Sequence, residues 1–328
     1  MQPSISRPRL TELLDAARGM RVAVVGDAML DVYLRGDVDR ISPEAPVPVV
    51  RVRHRAQALG GAANVAQNVV ALGARCELVA VVGDDIAGGV LRDLLQKLPT
   101  DPRAICTVGR PTTTKTRVLA RSQQVVRFDE EEDEDISGTE IDGLLDVVGR
   151  AVADADAVVL EDYNKGVLVP RVIRQAIDGA KAKGIPVIVD PKYRHFFHYS
   201  GATIFKPNRR ELENALGAAV ELDEPAALHA TLGRLGVEHM LLTLGEKGMA
   251  LIEPDGSSHH VPTMAKAVYD VVGAGDTVSA YLAAMLAAGA TALEAAIVAN
   301  YAAGVEVGKL GAATVTGAEV LAAFDDVA

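Results

Sequence analysis

Cysteine is scarce: the 328 residues hold two, Cys76 and Cys106, and neither belongs to a Cys-x-x-Cys pair. A disulfide-stapled scaffold and a thiolate zinc site are therefore disfavoured, and two buried reduced thiols suit a reducing cytoplasm. Long apolar runs are missing too. No stretch approaches about 18 consecutive apolar residues, and residues 1–21 mix Pro, Arg, Glu and Asp without an apolar core, so neither a membrane span nor a signal peptide is expected. Positive charge is in deficit, with 33 Lys and Arg against 44 Asp and Glu and a formal net charge of -11. That balance argues against a nucleic acid as main partner, although local nests still let acidic proteins bind nucleotides. Two nucleotide signatures are absent as well. Gly245-Glu246-Lys247-Gly248 and Gly308-Lys309-Leu310 both fail the P-loop pattern. Gly273-Ala274-Gly275 lacks a third glycine at Val278, and Val25-Gly26-Asp27 lacks the spacing altogether, which disfavours a nicotinamide oxidoreductase. His195, His198 and the pair His259-His260 have no convincing third ligand, so they are assigned no metal.

The densest chemical signal lies between Ala267 and Val278. An extended Val/Tyr run, 267–272, meets Gly273-Ala274-Gly275 and passes into Ser279-Ala280-Tyr281-Leu282-Ala283-Ala284-Met285-Leu286, whose alanine and leucine content favours helix. The glycines therefore sit at a helix N-terminus. There the first amides lack intrahelical partners and the macrodipole is positive, so small residues let a phosphoryl group approach the backbone. Asp276 falls beside that nest, where a carboxylate either caps the helix or, facing a cleft, takes a proton from an attacking hydroxyl.

Around this stretch, short apolar runs alternate with helical segments. The runs at 21–25, 76–82, 155–160, 186–189, 203–205 and 240–244 each end in polar groups: Gly26-Asp27, Gly83-Asp84, Glu161-Asp162, Asp190-Pro191-Lys192, Lys206-Pro207-Asn208 and Gly245-Glu246. This pattern predicts an α/β fold with a doubly wound, mostly parallel sheet flanked by helices and a site along its C-terminal strand edge. Asp27 and Asp31 follow the first strand, where turn and cap formation is the plainer role. Gly60-Gly61 opens a helix carrying Asn64 in its first turn, suited to sugar hydroxyls or simply to tight packing.

Two segments break the alternation. Residues 34–58 carry Pro43, Pro46 and Pro48 among alternating valines, and 112–129 hold two β-prone runs around Ser122-Gln123-Gln124. Both are expected to form one small discontinuous β lid inserted in a single domain spanning 1–328. Lys115, Arg117, Arg121 and Arg127 concentrate in the second segment. Residues two apart share a strand face, so Lys115 and Arg117 can point together into a cleft while Thr116 points away. A solvated or dimer-facing ribbon is the competing role.

Three ordered stretches, Gly60-Gly61-Ala62-Ala63-Asn64-Val65-Ala66, Asn208-Arg209-Arg210-Glu211 and Asp270-Val271-Val272-Gly273-Ala274-Gly275-Asp276-Thr277, resemble the ribokinase-like, or PfkB, family of carbohydrate kinases. The resemblance spans nearly the whole chain. It departs at Val271, where the family usually has Thr, and leaves the Gly-Ala-Gly-Asp core intact. It implies ATP-dependent phosphorylation of a sugar hydroxyl, with Asp276 as base and, after Gly273, the N–H groups of Ala274, Gly275 and Asp276 forming an anion hole. Asn208 and Glu211 would hold Mg²⁺ through water near the ATP phosphates; a helix cap with a capping box is the alternative. Thr243, Gly245 and Gly248 would line the nucleotide side and Asp31, Gly61 and Asn64 the sugar hydroxyls, with Asp190 on the substrate side and Lys192 after it placed to meet phosphate.

Within the family, Gly26-Asp27-Ala28-Met29-Leu30-Asp31-Val32-Tyr33, residues 40–49 and Thr114-Lys115-Thr116-Arg117-Val118 are most similar to the branch acting on heptose 7-phosphate. That branch implies transfer to the C1 hydroxyl, giving heptose 1,7-bisphosphate for ADP-heptose and lipopolysaccharide synthesis. Lys115, Arg117 and Arg127 are the expected readers of the 7-phosphate, and a cytoplasmic homodimer through the lid is the expected assembly. Another sugar kinase and a non-catalytic sugar-binding regulator are the alternatives, separated by sugar-dependent ADP release.

Overall fold

A computed structural model describes residues 4–99, 105–121, 123–265, 268–309 and 311–326. In chain order its first half comprises α1 (Arg7–Ala17), β1 (Arg21–Gly26), β2 (Ala28–Ile41), β3 (Pro48–Gly61), α2 (Ala62–Leu72), β4 (Arg75–Gly83), α3 (Ile86–Leu95), β5 (Ile105–Val108), β6 (Thr114–Ala120), β7 (Gln123–Glu130) and α4 (Thr139–Asp154). There follow β8 (Ala157–Glu161), α5 (Pro170–Lys183), β9 (Val187–Asp190), β10 (Ile204–Phe205), α6 (Arg209–Leu216), α7 (Pro225–Leu235), β11 (His239–Thr243), β12 (Met249–Ile252), β13 (Ser258–Val261), α8 (Ala274–Ala287), α9 (Ala292–Glu306) and α10 (Gly317–Asp325).

The apolar runs pair into a nine-stranded sheet in the order β13-β12-β11-β10-β9-β8-β1-β4-β5. It is parallel from β11 to β5, and β12 and β13 add an antiparallel edge. Strands such as Val22 to Val25 and Ala157 to Leu160 are buried on both faces, which is why they read as continuous aliphatic runs. Side chains of α1, α2, α8, α9 and α10 cover one face, and those of α4, α5, α6 and α7 the other. From β1 the chain winds out to β4 and β5, then restarts at β8 on the other side. The carboxyl ends of β1 and β8 therefore flank a topological switch point, where ligands of such sheets bind.

The interrupting segments form a second sheet, β3-β2-β6-β7, in which β2 and β6 run parallel. This sheet begins earlier and ends later than the expected 34–58, because β2 pairs with β6 from Leu30 onward and with β3 from Ala28 to Ile41. Asp31 and Gly61 therefore belong to the lid strands and not to the main-sheet edge. Pro43 and Pro46 fall in the β2–β3 loop, and Pro48 starts β3, where a missing amide costs least.

Residues 268–272 form no strand, a correction to the expected extended run. The Asp270 carboxylate accepts from the amides of Val272 and Gly311, at 3.1 Å each, and winds the segment into a turn. Ala267 and Ser122 lie outside the described residues. Among the described residues no helix is long and apolar enough to cross a membrane. Cys76 is buried and Cys106 partly so, both as free thiols.

Candidate active site

Helix α8 starts where Gly273 takes φ +98°, a left-handed conformation that a side chain would strain; its Cβ would also stand 2.8 Å from Asn64 Nδ2. In the helix's first turn Asp276 is buried while Gly275 stays exposed. Among the described residues the amides of Gly275 and Asp276 have no acceptor, whereas that of Ala274 lies 3.5 Å from Val271 O. The open nest thus consists of two amides and a partly engaged third.

Both oxygens of Asp276 are held. Asn64 Nδ2 donates to Oδ2 at 2.6 Å, and the Tyr163 hydroxyl donates to Oδ1 at 2.8 Å. Asn64 is oriented in turn, its Oδ1 accepting from Gln67 Nε2 at 2.6 Å, and it rides on α2, whose N-cap is Gly61. Gly61 has φ +57°, and a Cβ there would lie 2.3 Å from Asp27 O, so the helix can start against β1 only with glycine. Asn64, expected on sugar hydroxyls, spends its amide N–H on Asp276. Burial pushes the Asp276 carboxyl up to about 6, while the Asn64 and Tyr163 bonds pull the other way.

Beneath the nest lies a fully interior group, Glu161, Asp190 and Lys206, delivered by the ends of β8, β9 and β10. Lys206 Nζ meets Asp190 Oδ2 at 2.7 Å, and a Cβ on Gly275 would stand 3.6 Å from each of those atoms. Burial raises Asp190, but Lys206 and Lys192 overcome it and hold that carboxyl below its ordinary range. Burial, then Asp190 and Asp276, push Glu161 well above its own. One ammonium is thus stationed directly below the helix terminus that would receive an anion.

On the adjoining strand ends, Asn208 caps α6. Its side chain accepts from Glu211 N at 2.9 Å, and Glu211 Oε2 accepts from Asn208 N at 2.8 Å, a reciprocal capping box. Glu211 Oε1 accepts from Lys192 Nζ at 2.6 Å. Thr243 bridges to Asn208 at the end of β11, followed by Gly245 and Gly248 at φ +63° and +87°. A magnesium ion held through its own waters asks for few direct ligands; Asn208 Oδ1 and the two Glu211 oxygens are the acceptors on offer, each already taking one bond, from Glu211 N, Asn208 N and Lys192 Nζ.

The lid presents one polar face. In register across β2, β6 and β7 stand Asp31 beside Lys115 beside Asp129, and Tyr33 beside Arg117 beside Arg127. Arg117 Nη1 pairs with Asp31 Oδ1 at 2.6 Å, and Lys115 Nζ pairs with Asp129 at 2.9 Å and Glu131 at 3.1 Å. Arg127 reaches Asp129 at 3.1 Å with half its side chain exposed. Thr116 takes the opposite face, in a cavity of about 480 Å³ between the lid and α3.

Tyr163, Glu161 and Lys206 escaped the sequence analysis as site residues. The signal available was their position directly after apolar runs, the same signal that pointed to Asp190 and Lys192.

The family described as pfkB family carbohydrate kinase matches residues 20–318. Curated relatives include "Bifunctional protein HldE" of Rhodospirillum rubrum, 45% identical over 96% of this chain and 64% of its own length. The protein of the same name from Caulobacter sp. is 47% identical over 95% of this chain and 64% of its own. The chain thus spans less than two thirds of the length of these relatives. Among solved structures, ribokinase from Thermotoga maritima has a TM-score of 0.73 at 23% identity, covering 93% of this chain and 99% of its own. Escherichia coli phosphofructokinase-2 in complex with potassium has a TM-score of 0.77 at 18% identity, covering 94% and 99%. A family match across that span, on a ribokinase-like fold, makes this chain a member of the pfkB family of carbohydrate kinases, enzymes that use ATP with Mg²⁺ to phosphorylate sugars.

Proposed function

We propose that the protein phosphorylates heptose 7-phosphate at its C1 hydroxyl, giving heptose 1,7-bisphosphate for ADP-heptose and lipopolysaccharide core synthesis. The observation that carries this reading has two halves: a buried carboxylate beside open amides on α8, and a polar lid face bearing Lys115, Arg117 and Arg127. The first half suits transfer to any sugar hydroxyl. The second suits an acceptor that already carries a phosphate.

In this reading the C1 hydroxyl gives its proton to Asp276 as its oxygen attacks the γ-phosphorus of ATP. The bond from that phosphorus to the bridging oxygen breaks, and ADP leaves with the electron pair. The amides of Gly275 and Asp276, aided by Ala274 and by Lys206 below, stabilise charge on the transferring group. Asn208 and Glu211, with Lys192 beside them, would hold a magnesium ion through water, and such an ion would neutralise phosphate charge. Thr243, Gly245 and Gly248 border the nucleotide side. Asp31 and Gly61 border the sugar, with Asp31 exchanging its bond to Arg117 for hydroxyls as Arg117 turns to the 7-phosphate.

A homodimer through the lid accompanies this reading, since Val126 and Phe128, on the face turned to α3, are 49% and 47% exposed. Light scattering on wild type and Phe128→Lys tests it: a dimer that persists in the variant rejects that face. For the activity itself, purified protein is given ATP, Mg²⁺ and a panel of sugars while ADP release is followed and the product's phosphorylated carbon is assigned by NMR. Equal turnover of unphosphorylated heptose rejects the 7-phosphate assignment, and no sugar-dependent ADP release rejects the kinase.

A further inference from the structure

Tyr163 stands between the two sides of the site. Its hydroxyl donates to Asp276 Oδ1 at 2.8 Å, and its ring lies under Lys192 Nζ, 5.4 Å from the centroid. Lys192 Nζ in turn donates to Glu211 Oε1 at 2.6 Å, on the residue that with Asn208 opens α6. One side chain therefore touches the carboxylate on the acceptor side and the ammonium on the phosphoryl-donor side.

The tyrosine is itself fixed. The buried Asp27 carboxylate accepts from the amides of Tyr163 at 2.7 Å and Lys165 at 2.9 Å through Oδ2, and from Val167 at 3.2 Å through Oδ1. Three bonds to one carboxylate clamp the loop after β8, directly at the switch point. Asp27 thus acts on the site through the loop it holds.

We propose that Tyr163 is a positioning residue that locks the Asp276 carboxylate and the Lys192 ammonium in one geometry, so that proton acceptor and phosphoryl-donor contacts are aligned through a single ring. The proposal rests on Asp276 being the base. Its chemistry is one-directional: burial of the phenol, then Asp276, Glu161 and Asp190, keep Tyr163 protonated well above its ordinary value, so it donates and never competes for the proton. Asn64 supplies the matching donor on Oδ2, and the two together favour the ionised carboxylate against the burial that opposes it. The charged groups facing Asp276 are Glu161 from β8, Asp190 from β9, Lys206 after β10 and Glu306 from α9, and none of these is altered by a change at Tyr163.

Two substitutions separate the two contacts. Tyr163→Phe removes the hydroxyl and keeps the ring; kcat should fall by about 10- to 100-fold, as for loss of one bond to a charged group. The acidic limb of the kcat profile, set by the carboxyl near 6, should move to higher pH because one donor to the ionised form is gone. The KM for ATP should stay unchanged. Tyr163→Leu removes the ring as well, and should raise the KM for ATP by about 3- to 10-fold in addition. A loss of kcat in Tyr163→Phe that is equal at every pH, or a limb that does not move, overturns the proposal. So does an unchanged KM for ATP in Tyr163→Leu. Should Tyr163→Phe not fold, 3-fluorotyrosine at position 163, a stronger donor of nearly the same shape, must shift the limb to lower pH; an unmoved limb rejects the idea. Asp276→Asn is measured alongside: if it retains turnover, the base assignment fails, whereas an inactive Asp276→Asn with a normal Tyr163→Phe rejects only the role of Tyr163.

Discussion

The nest at α8 and the polar face of the lid bind charge by opposite means. At the nest the ionisable groups are interior, and Asp276 and Asp190 are held by partners from α2, the loop after β8 and the end of β10, so the two carboxylates are fixed by different parts of the fold. On the lid, cations and carboxylates sit in register on neighbouring strands, and Arg127 is half exposed. A fixed site stabilises a transition state without reorganising, whereas a laddered set of exchangeable pairs lets an incoming anion displace a carboxylate. Reaction type is thus expected to reside in the main sheet and acceptor choice in the lid.

The sharpest break in that comparison is Asp276→Asn. The amide keeps size and can still bond Asn64 or Tyr163, but accepts no proton, so kcat should fall by about 10²–10⁴-fold with nucleotide affinity retained. Steady-state kinetics on folded protein check this, and near-normal turnover would return Asp276 to the role of helix cap.

Next in size is Arg117→Ala. A charge-assisted bond to a partly buried phosphate contributes about 1.5–3 kcal/mol, so kcat/KM for heptose 7-phosphate should drop by about 10- to 150-fold relative to unphosphorylated heptose. If both substrates fall together, the Arg117–Asp31 pair supports the lid's structure, and Lys115 or Arg127 must hold the phosphate.

Much of the nest was legible because its signals are local. Gly273-Ala274-Gly275 before an alanine-rich helix states a terminus with room for an anion, and strict two-residue spacing placed Lys115 and Arg117 on one lid face. What stayed hidden depends on long-range bonds. Tyr163 is aimed by Asp27, 136 residues away, and nothing around Tyr163 encodes that clamp. The same cause explains the failed strand at 268–272: its Val and Tyr favour extension, but Asp270 bonds Val272 and Gly311 and wins. Asn208 and Glu211 show the reverse difficulty. The capping box is present, and a cap and a magnesium contact carry the same sequence.

Glu211→Gln separates those two roles. Glutamine also completes a capping box, so α6 should persist, while the ionic bond to Lys192 and the negative charge are lost. The Mg²⁺ concentration for half-maximal rate should rise severalfold with the sugar KM unaltered, as expected for a group that orients metal-bound water. An unmoved magnesium titration leaves Glu211 as a capping residue alone.

The smallest effect tests the comparison through stability instead of rate. Glu306, at the end of α9, is wholly buried, and burial first, then Asp270 and Asp276, push its carboxyl from an ordinary 4.5 up to about 8. Below about pH 4.5 the folded and unfolded chains both keep that proton, and the group costs nothing. As pH rises the unfolded chain releases the proton first, so the folded state is increasingly disfavoured until about pH 8, where the penalty levels off. Glu306→Gln removes the titration, so its Tm should match wild type near pH 4 and exceed it at pH 8 by about 2–4 °C. On the lid the sign reverses. Burial raises Asp129, but Lys115 and Arg127 outweigh it and hold that carboxyl below its ordinary range, so its stabilising contribution is present at neutral pH and is lost as pH falls through the depressed value. Asp129→Asn should therefore lower Tm at pH 7 and approach wild type in acid. Melting curves of Glu306→Gln across pH 4–8, and of Asp129→Asn from pH 7 down to about pH 2, decide the matter: an Asp129→Asn deficit that does not shrink in acid would mean that the lid pairs are solvated contacts of no energetic weight, and that the division between a fixed nest and an exchangeable ladder does not hold.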